Sequence, residues 1–384
     1  MRLADTQSKH MRVGFIEDTH LRGGTQIWVI EAVQDFIAKG EDVMVIAPAD
    51  SHVAKLCKEA GARIYTYDWN DIAVNPNAYE NVWTKGLAGM DVAVCTVHPP
   101  RDGFQCSVFA AHCLKKAGLD TILVPKTGSI VPWYKREYYQ PDPAVTTRII
   151  SITNFTREYL IEVYNIPADM IELIYQGTDL TRFYSSEKNQ QKAFSRYPLP
   201  DSTGPILGAV GALENRKGQI ILLQAVKRLL DSEKLPNIHV MFVGEGPDEE
   251  MLRAVTKVYG LENYVSFFPF TDEPNFVFER IDILALPSLY KEGLPNVLLE
   301  AMSMQLPVIA TDLAGIPEVV LDGETGVLVP PGEVEKFSDA IEMLWASREI
   351  CRSMGRNARR LVQDKMDKRH QFNAFLNFFR HITE

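Results

Sequence analysis

Short apolar segments rich in β-branched residues alternate with helix-like segments along most of the chain. Seven strand-like segments come first, at residues 12–16, 42–47, 62–65, 91–97, 121–124, 148–152 and 171–175. Six more follow, at residues 206–210, 238–243, 265–268, 281–286, 307–310 and 326–329. Apolar strands separated by helices are typical of parallel sheets covered on both faces. The pattern therefore predicts two doubly wound α/β domains.

A polar stretch with several prolines interrupts this alternation at residues 185–205. Such composition favours an interdomain linker. With 384 residues, the chain is also longer than one core holds, because single cores stop growing near about 250–300 residues. We expect an N-terminal domain of residues 11–184 and a C-terminal domain of residues 206–365. Residues 1–10 are polar and precede the first strand, so they do not enter the fold prediction.

Composition excludes some functions. The net charge is −10, from 40 Lys and Arg against 50 Asp and Glu, and without a dense basic run nucleic acid is not an expected partner. The five cysteines lack metal-ligand spacing, which favours buried free thiols in a reducing compartment. No apolar stretch approaches about 18–20 residues, so we expect no transmembrane segment and a cytoplasmic location.

Two carboxylates lie eight positions apart near the end of the second strand series. Glu292 lies in a Gly/Pro loop that follows a buried strand, and Glu300 lies in the helical run after Pro295. Ligands of open α/β sheets bind beyond the carboxyl ends of the strands, where a helix start presents N–H groups to a phosphate. The segment expected to face this ligand comprises Gly293, Leu294, Pro295, Asn296 and Val297. A carboxylate accepts hydrogen bonds from a sugar or ribose diol, but a helix N-terminal charge and a solvated helical residue explain the two glutamates equally well.

Arg216 and Lys217 lie between a predicted strand and a predicted helix. Cations and helix N–H groups together bind phosphates well, so both residues are candidates for a pyrophosphate site, although Arg216 is equally consistent with a solvated loop. Gly244 follows the next strand and allows a close backbone approach to a ligand. An ordinary Gly/Pro turn explains Gly244 at least as well.

The first domain offers a second group of candidates. Gly23 and Gly24 lie in the loop after the first strand, and His98 follows the fourth strand. A single histidine is more often structural than catalytic, and His20 in the first loop is a weaker candidate on the acceptor side. The first loop lacks the Gly-x-Gly-x-x-Gly fingerprint, which argues against a dinucleotide-dependent dehydrogenase.

Residues 288–320 resemble the donor-site signature of the retaining glycosyltransferase family four. This resemblance implies the GT-B fold, in which two Rossmann-like domains face each other across a cleft and a C-terminal helix, here about residues 366–384, returns to the N-terminal domain. Residues 210–218 resemble the Gly-Arg-Leu…Lys-Gly motif of the same family, in which the arginine and the lysine contact the donor diphosphate. Ala212 stands at the arginine position, and we hypothesise that Arg216 supplies the missing charge.

The resemblance also implies roles for individual residues. Glu292 would hold sugar hydroxyls, Glu300 the ribose, and Lys217 the diphosphate, with Gly23, Gly24 and Gly244 near the donor. His98 would lie by the reacting sugar, so His98, Glu292 and Lys217 are the expected catalytic residues.

The implied activity is retaining transfer of a hexosyl or N-acetylhexosaminyl group from an NDP-sugar, with a UDP-sugar favoured, to a sugar, lipid-linked or other hydroxyl acceptor. Such a reaction belongs to polysaccharide or glycoconjugate biosynthesis and is compatible with peripheral contact at the inner membrane surface. We expect no cofactor and no metal, since no Asp-x-Asp pair occurs to carry a divalent ion. The alternatives are a non-catalytic nucleotide-sugar-binding protein, and an NDP-sugar 2-epimerase or sugar phosphorylase of similar fold.

The sequence gives the weakest evidence for the residues that bind the acceptor. The candidate segment contains Trp133, Tyr134, Lys135 and Arg136. Aromatic rings stack on sugars and cations meet anionic headgroups, but a partly buried aromatic ledge with solvated charges explains this segment better.

Overall fold

The computed structural model describes residues 10–20, 22–98, 100–128, 135–200 and 204–384. It divides into two compact units. The N-terminal unit comprises Met1–Ile174 and Gln371–Glu384, and the C-terminal unit comprises Tyr175–His370.

The N-terminal unit is built on a seven-stranded parallel sheet. Its strands are β1 Arg12–Ile16, β2 Asp42–Pro48, β3 Arg63–Tyr67, β4 Val92–Thr96, β5 Ile122–Lys126, β6 Ile149–Ser151 and β7 Ile171–Leu173. The connecting helices are α1 Gly24–Ala38, α2 His52–Glu59, α3 Glu80–Leu87, α4 Cys106–Ala117 and α5 Asn154–Glu162. The strand order is β3-β2-β1-β4-β5-β6-β7.

The C-terminal unit repeats this plan with a six-stranded parallel sheet. Its strands are β8 Ile206–Val210, β9 His239–Val243, β10 Val265–Phe268, β11 Ile283–Leu286, β12 Val308–Thr311 and β13 Val327–Val329. The helices are α6 Glu187–Arg196, α7 Gln219–Asp231, α8 Glu249–Val258, α9 Pro274–Phe278, α10 Asn296–Ser303, α11 Val334–Ala346 and α12 Arg348–Lys365. The strand order is β10-β9-β8-β11-β12-β13.

Both sheets reverse their winding direction at one point, between β1 and β4 in the first sheet and between β8 and β11 in the second. Each predicted strand segment overlaps one of these strands, so the prediction of two doubly wound α/β domains is confirmed. Helices leave in opposite directions from the two strands at a reversal, which opens a crevice at their carboxyl ends. This geometry determines where each unit can hold a ligand.

The predicted linker at residues 185–205 is corrected by the structure. This stretch lies within the C-terminal unit, and the boundary between the units falls between Ile174 and Tyr175. Helix α6 occupies the middle of the stretch, and Ser186 caps it by accepting a hydrogen bond of 3.2 Å from the Asn189 N–H. Ala193 and Tyr197 are buried in the C-terminal core. Ala193 in α6 and Tyr197 at its C-cap therefore anchor a helix whose polar composition favoured a linker.

The last helix, α13 Lys368–Ile382, packs in the N-terminal unit, as the resemblance implied. Phe372, Phe375 and Phe379 lie in the core around Trp28, and the Phe375 and Trp28 ring centroids are 5.1 Å apart. The spacing of these phenylalanines, three and four residues, places them on one face of the helix. Aromatic packing therefore holds the C-terminus of the chain against α1.

Replacement of Phe375 by alanine should destabilise the N-terminal unit strongly, because the side chain is fully buried and a cavity would remain. We expect a loss of about 3–5 kcal/mol in the free energy of unfolding, measured by urea denaturation. Phe270→Ala is the matched control, since Phe270 is 44% exposed and its removal should change stability by less than about 0.5 kcal/mol. Equal losses in the two variants would contradict the proposed packing role of α13.

Candidate functional site

Two loops meet at the winding reversal of the C-terminal sheet. Strands β8 and β11 are neighbours, so the segments that follow them begin side by side. The Leu289 N–H donates a hydrogen bond of 2.8 Å to the Arg216 carbonyl oxygen and joins the two loops. Gly218 has φ of +65°, and a Cβ there would lie 2.0 Å from the Pro287 carbonyl oxygen. Only glycine allows this contact, which holds Arg216 and Lys217 beside the β11 loop.

Lys217 and Glu292 form a close ion pair between these loops. The distance from Lys217 Nζ to Glu292 Oε1 is 2.5 Å, and the side chains are 15% and 3% exposed. Ser288 Oγ donates a second hydrogen bond of 2.8 Å to the same carboxylate oxygen. A buried carboxylate needs such partners, and Glu292 obtains them from both loops.

Arg216 lies beside the same carboxylate. Its Nη1 is 3.6 Å from Glu292 Oε1, and its Nε donates a hydrogen bond of 2.6 Å to Glu214 Oε2. The side chain is 25% exposed, so Arg216 is not a fully solvated loop residue. Two cations therefore alternate with two carboxylates in one cluster, which we call the β8–β11 cluster: Glu214, Arg216, Lys217 and Glu292.

Helix α10 starts immediately after this cluster, with Pro295 as its N-cap residue and Asn296 as its first residue. Gly293 and Leu294 are buried, and the Gly293 carbonyl oxygen accepts a hydrogen bond of 3.2 Å from the Gly315 N–H. Val297 and Glu300 lie within α10 and are partly buried. The predicted helix start is thus present next to Glu292, and its N–H groups add positive electrostatic potential there.

The backbone geometry at position 244 requires a glycine. Its φ is +147°, and a Cβ would lie 2.0 Å from the Gly211 carbonyl oxygen. Gly244 therefore allows the loops after β8 and β9 to approach each other. Contact with a nucleotide base stays a prediction.

The winding reversal of the N-terminal sheet also brings two functional candidates together. Glu17 follows β1 and His98 follows β4, and these strands are neighbours. His98 Nε2 lies 2.5 Å from Glu17 Oε1, with side chains 23% and 0% exposed. Gln26 Nε2 donates a hydrogen bond of 3.2 Å to the same Glu17 oxygen. Glu17 Oε2 is buried and has no hydrogen-bond partner among the described residues.

Lys126, at the end of β5, adds a buried cation that the sequence analysis missed. Its side chain is buried, and its ammonium lies 4.2 Å from the centroid of the Trp28 ring. Burial lowers the pKa of Lys126 to about 8, although Glu17 acts in the opposite direction. A lysine that ends an apolar strand is the available sequence signal, because such a position is normally buried.

Burial by itself lowers the pKa of His98, but the charge of Glu17 and its hydrogen bond outweigh burial, so the pKa lies above its usual value. Asp18 raises this pKa further, and Lys126 lowers it. Glu17, His98 and Lys126 therefore form a coupled set, which we call the β1–β4 cluster.

The two first-loop glycines lie at the start of helix α1. Gly23 is the N-cap of α1 with an extended φ of −136°, and Gly24 is the first residue of the helix. Neither residue has a positive φ. The Gly23 N–H donates a hydrogen bond of 3.0 Å to Gln26 Oε1. The glycines therefore begin a helix next to Glu17, and their contact with the donor stays a prediction.

The acceptor-side candidates differ in their surroundings. His20 is exposed, and its ring meets Trp69 edge-on with the centroids 5.1 Å apart. Lys135 and Arg136 are exposed and pair locally, Lys135 with Glu137 at 3.6 Å and Arg136 with Gln140 at 3.0 Å. Trp133 and Tyr134 lie outside the described residues.

Comparison with known proteins places the C-terminal cluster in a family. The family model described as "Glycosyl transferases group 1" matches residues 190–361, a range that contains Arg216, Lys217, Gly244 and residues 292–300. The part of the chain that forms most of the C-terminal unit is therefore similar to the group 1 glycosyl transferases. The N-terminal candidates lie outside the matched range.

The chain is 30% identical over 224 residues to the D-inositol 3-phosphate glycosyltransferase of Nocardia farcinica, covering 56% of this chain and 48% of that protein. It is 26% identical over 343 residues to the phosphatidyl-myo-inositol mannosyltransferase of Mycobacterium leprae, covering 87% of each. The matches cover 48%, 60% and 38% of the length of the first three curated relatives, so the chain spans about half the length of those relatives.

The fold is similar to that of solved glycosyltransferases. The structure of Anabaena HepE in complex with UDP-glucose has a TM-score of 0.82 at 19% identity, covering 96% of this chain and 99% of that one. This likeness supports the GT-B fold that the sequence resemblance implied. Within the described part of the chain, each helix is too short or too polar to cross a membrane.

The β1–β4 cluster generates a titration prediction. In Glu17→Gln, we expect the His98 imidazole to titrate at lower pH than in the wild type, because the neutral amide no longer stabilises the imidazolium. In Lys126→Met we expect the opposite shift, because a nearby positive charge is removed. NMR of the imidazole C–H resonances measures both, with His112 as an internal control. Identical His98 midpoints in the three proteins would contradict the coupling.

Unfolding provides a second readout of the Glu17→Gln variant. A raised folded-state pKa means that His98 contributes stability that is fully present below its unfolded pKa of about 6.5 and is lost as pH rises through the folded pKa. The difference in free energy of unfolding between wild type and Glu17→Gln should therefore be larger at about pH 6 than at about pH 9. A difference that grew with pH would contradict a raised pKa of His98 in the folded protein.

Proposed function

We propose that the protein is a retaining glycosyltransferase that moves a hexosyl or N-acetylhexosaminyl group from an NDP-sugar, preferably a UDP-sugar, to a hydroxyl acceptor. The observation that carries this proposal is the buried Lys217–Glu292 pair, with Arg216 beside it and the start of α10 next to it. Cations and helix N–H groups suit a diphosphate, and a buried carboxylate suits sugar hydroxyls.

Departure of the diphosphate is the demanding step, since negative charge gathers on it as the sugar carbon becomes cationic. Preorganised cations and amide dipoles stabilise such charge effectively. In this proposal the diphosphate draws Lys217 and Arg216 toward itself, with backbone N–H groups of residues 293–297 contributing. Glu292 Oε1, which accepts from Lys217 Nζ at 2.5 Å and Ser288 Oγ at 2.8 Å, then becomes an acceptor for sugar hydroxyls. Glu300, within α10, accepts hydrogen bonds from the ribose hydroxyls.

His98 lies by the reacting sugar in this proposal, held by Glu17 at 2.5 Å. The departing phosphate assists removal of the acceptor proton, and the new bond forms on the face that the diphosphate leaves. Charge stabilisation comes from side chains and amides, so transfer requires no metal. The preference for a UDP-sugar is supported by the likeness to Anabaena HepE, whose structure is a complex with UDP-glucose.

Kinetic measurements on alanine variants of the two neighbouring cations, Lys217 and Arg216, test the donor site. Lys217→Ala should lower kcat by about 10²–10³-fold, because a group that stabilises the leaving charge is removed. Arg216→Ala should lose on the order of tenfold in kcat/KM if this arginine replaces the cation missing at Ala212. Arg228→Ala is the matched control, since Arg228 is 50% exposed and pairs with Glu335. Wild-type kinetics in Arg216→Ala would end the compensation hypothesis without affecting the role of Lys217.

Ligand binding and product analysis test the activity itself. A saturating UDP-sugar should stabilise the protein by about 2.7 kcal/mol at 100 times Kd, observed as a higher Tm. Incubation with an acceptor panel in EDTA should release UDP and form a glycoside whose anomeric configuration, determined by NMR, equals that of the donor. Inverted product would exclude the retaining mechanism. Nucleotide binding without transfer would favour a non-catalytic binding protein, and donor consumption without an acceptor would favour an epimerase.

A further inference from the structure

A cavity of about 860 Å³ lies in the N-terminal unit, between the loop that follows β2, helix α2 and the edge strand β3. Its volume is in the range of sites for small molecules. The lining residues are His20, Arg22, Ala49, Asp50, Ser51, His52, Ala54, Lys55, Lys58, Ala62, Ile64 and Thr66. This cavity, which we call the α2 cavity, is distinct from both clusters described above.

The lining of the α2 cavity is positively charged although the protein as a whole is acidic. Arg22, Lys55 and Lys58 provide three cations, and Asp50 is the single carboxylate in the lining. The chain as a whole carries a net charge of −10. A local excess of one sign in a concave surface concentrates ligands of the opposite sign.

Helix α2 divides its faces between packing and the cavity. Val53, Ala54 and Cys57 are buried in the N-terminal core, whereas Lys55 and Lys58 are exposed. The two lysines are three positions apart and therefore lie on one face of the helix. Ser51 caps the helix by accepting a hydrogen bond of 3.1 Å from the Ala54 N–H, so the positive end of the helix dipole also lies at the cavity.

The cavity cations have no ion-pair partner in the part of the chain that the structure describes. Arg22, Lys55 and Lys58 form no ion pair with another described residue, whereas Lys115 and Lys116 of α4 lie 2.8 Å and 2.5 Å from carboxylate oxygens of Asp142 and Glu80. Like charges on one helix face repel each other. An anionic ligand in the cavity would reduce the repulsion between these cations.

The position of the cavity connects it with the acceptor side. His20, in its lining, is in the same β1–α1 loop as Glu17, which holds His98. The His20 ring contacts Trp69, and the Arg101 guanidinium covers that indole at 4.0 Å from the ring centroid. One loop thus carries residues of both the β1–β4 cluster and the α2 cavity.

We propose that the α2 cavity binds a phosphate group of the acceptor, with Arg22, Lys55 and Lys58 as its counterions. This inference rests on the proposed glycosyltransferase function and specifies its acceptor as phosphate-bearing. The chemistry is shared by a soluble sugar phosphate and by the headgroup of an anionic phospholipid.

The test measures binding to the full-length protein without donor, by isothermal titration calorimetry. Glucose 6-phosphate is compared with glucose, which differs only in the phosphate. We expect binding of the phosphate ester that weakens with added salt, and no measurable binding of glucose. The Lys55→Gln/Lys58→Gln variant should lose on the order of tenfold or more in affinity. Lys115→Gln/Lys116→Gln removes the same charge from another exposed helix and should bind as the wild type does.

A second arm identifies the source of the phosphate. Flotation with vesicles of phosphatidylcholine, with or without phosphatidylglycerol, is performed on the same proteins. Binding to the anionic vesicles alone, lost in Lys55→Gln/Lys58→Gln and kept in the control, supports a lipid headgroup, and binding of glucose 6-phosphate alone supports a soluble acceptor. Equal behaviour of the two double variants in both arms overturns the proposal. Failure of UDP-sugar binding would instead refute the proposed function, which these two arms do not measure.

Discussion

The structure depends on one topological constraint, the reversal of winding between two adjacent parallel strands in each sheet. Neighbouring parallel strands end at the same edge, so the residues that follow them begin within contact distance. In the C-terminal unit this places Lys217 beside Glu292, and in the N-terminal unit it places His98 beside Glu17. The partners are 75 and 81 positions apart in the chain. Both clusters are thus consequences of strand order.

Each cluster combines a buried carboxylate with cationic partners, but the balance differs. Glu292 is surrounded by Lys217, Ser288 and Arg216, so its charge is well compensated. Glu17 binds His98 and Gln26 through one oxygen, and its second oxygen has no hydrogen-bond partner in the described part of the chain. A nearby carboxylate favours the charged form of an imidazole. The C-terminal cluster is therefore suited to exchanging ion-pair partners, and the N-terminal cluster to controlling the charge on one imidazole.

Sequence patterns predicted the strands, the winding and most of the C-terminal candidates, because buried parallel strands are continuous apolar runs and phosphate sites follow them. The predicted linker failed because α6 is anchored by Ala193 and Tyr197 within an otherwise polar stretch. The close approach of Gly244 to the Gly211 backbone depends on the tertiary structure, and the predicted ligand contact of Gly244 stays a prediction. Glu17 and Lys126 were missed as site residues, since a single acidic or basic residue at a strand end carries no periodic signal.

The sequence by itself determined the alternation of strands and helices, the order of the loops and the residue types available in them. Hydrophobic periodicity acts over a few residues, so it is readable without a structure. The tertiary structure decided which loops meet, which charges lose their water and which cations, such as Lys55 and Lys58, form no ion pair with another described residue. Those properties depend on distances between residues far apart in the chain, and burial changes the energy of a charge far more than its neighbours in sequence do.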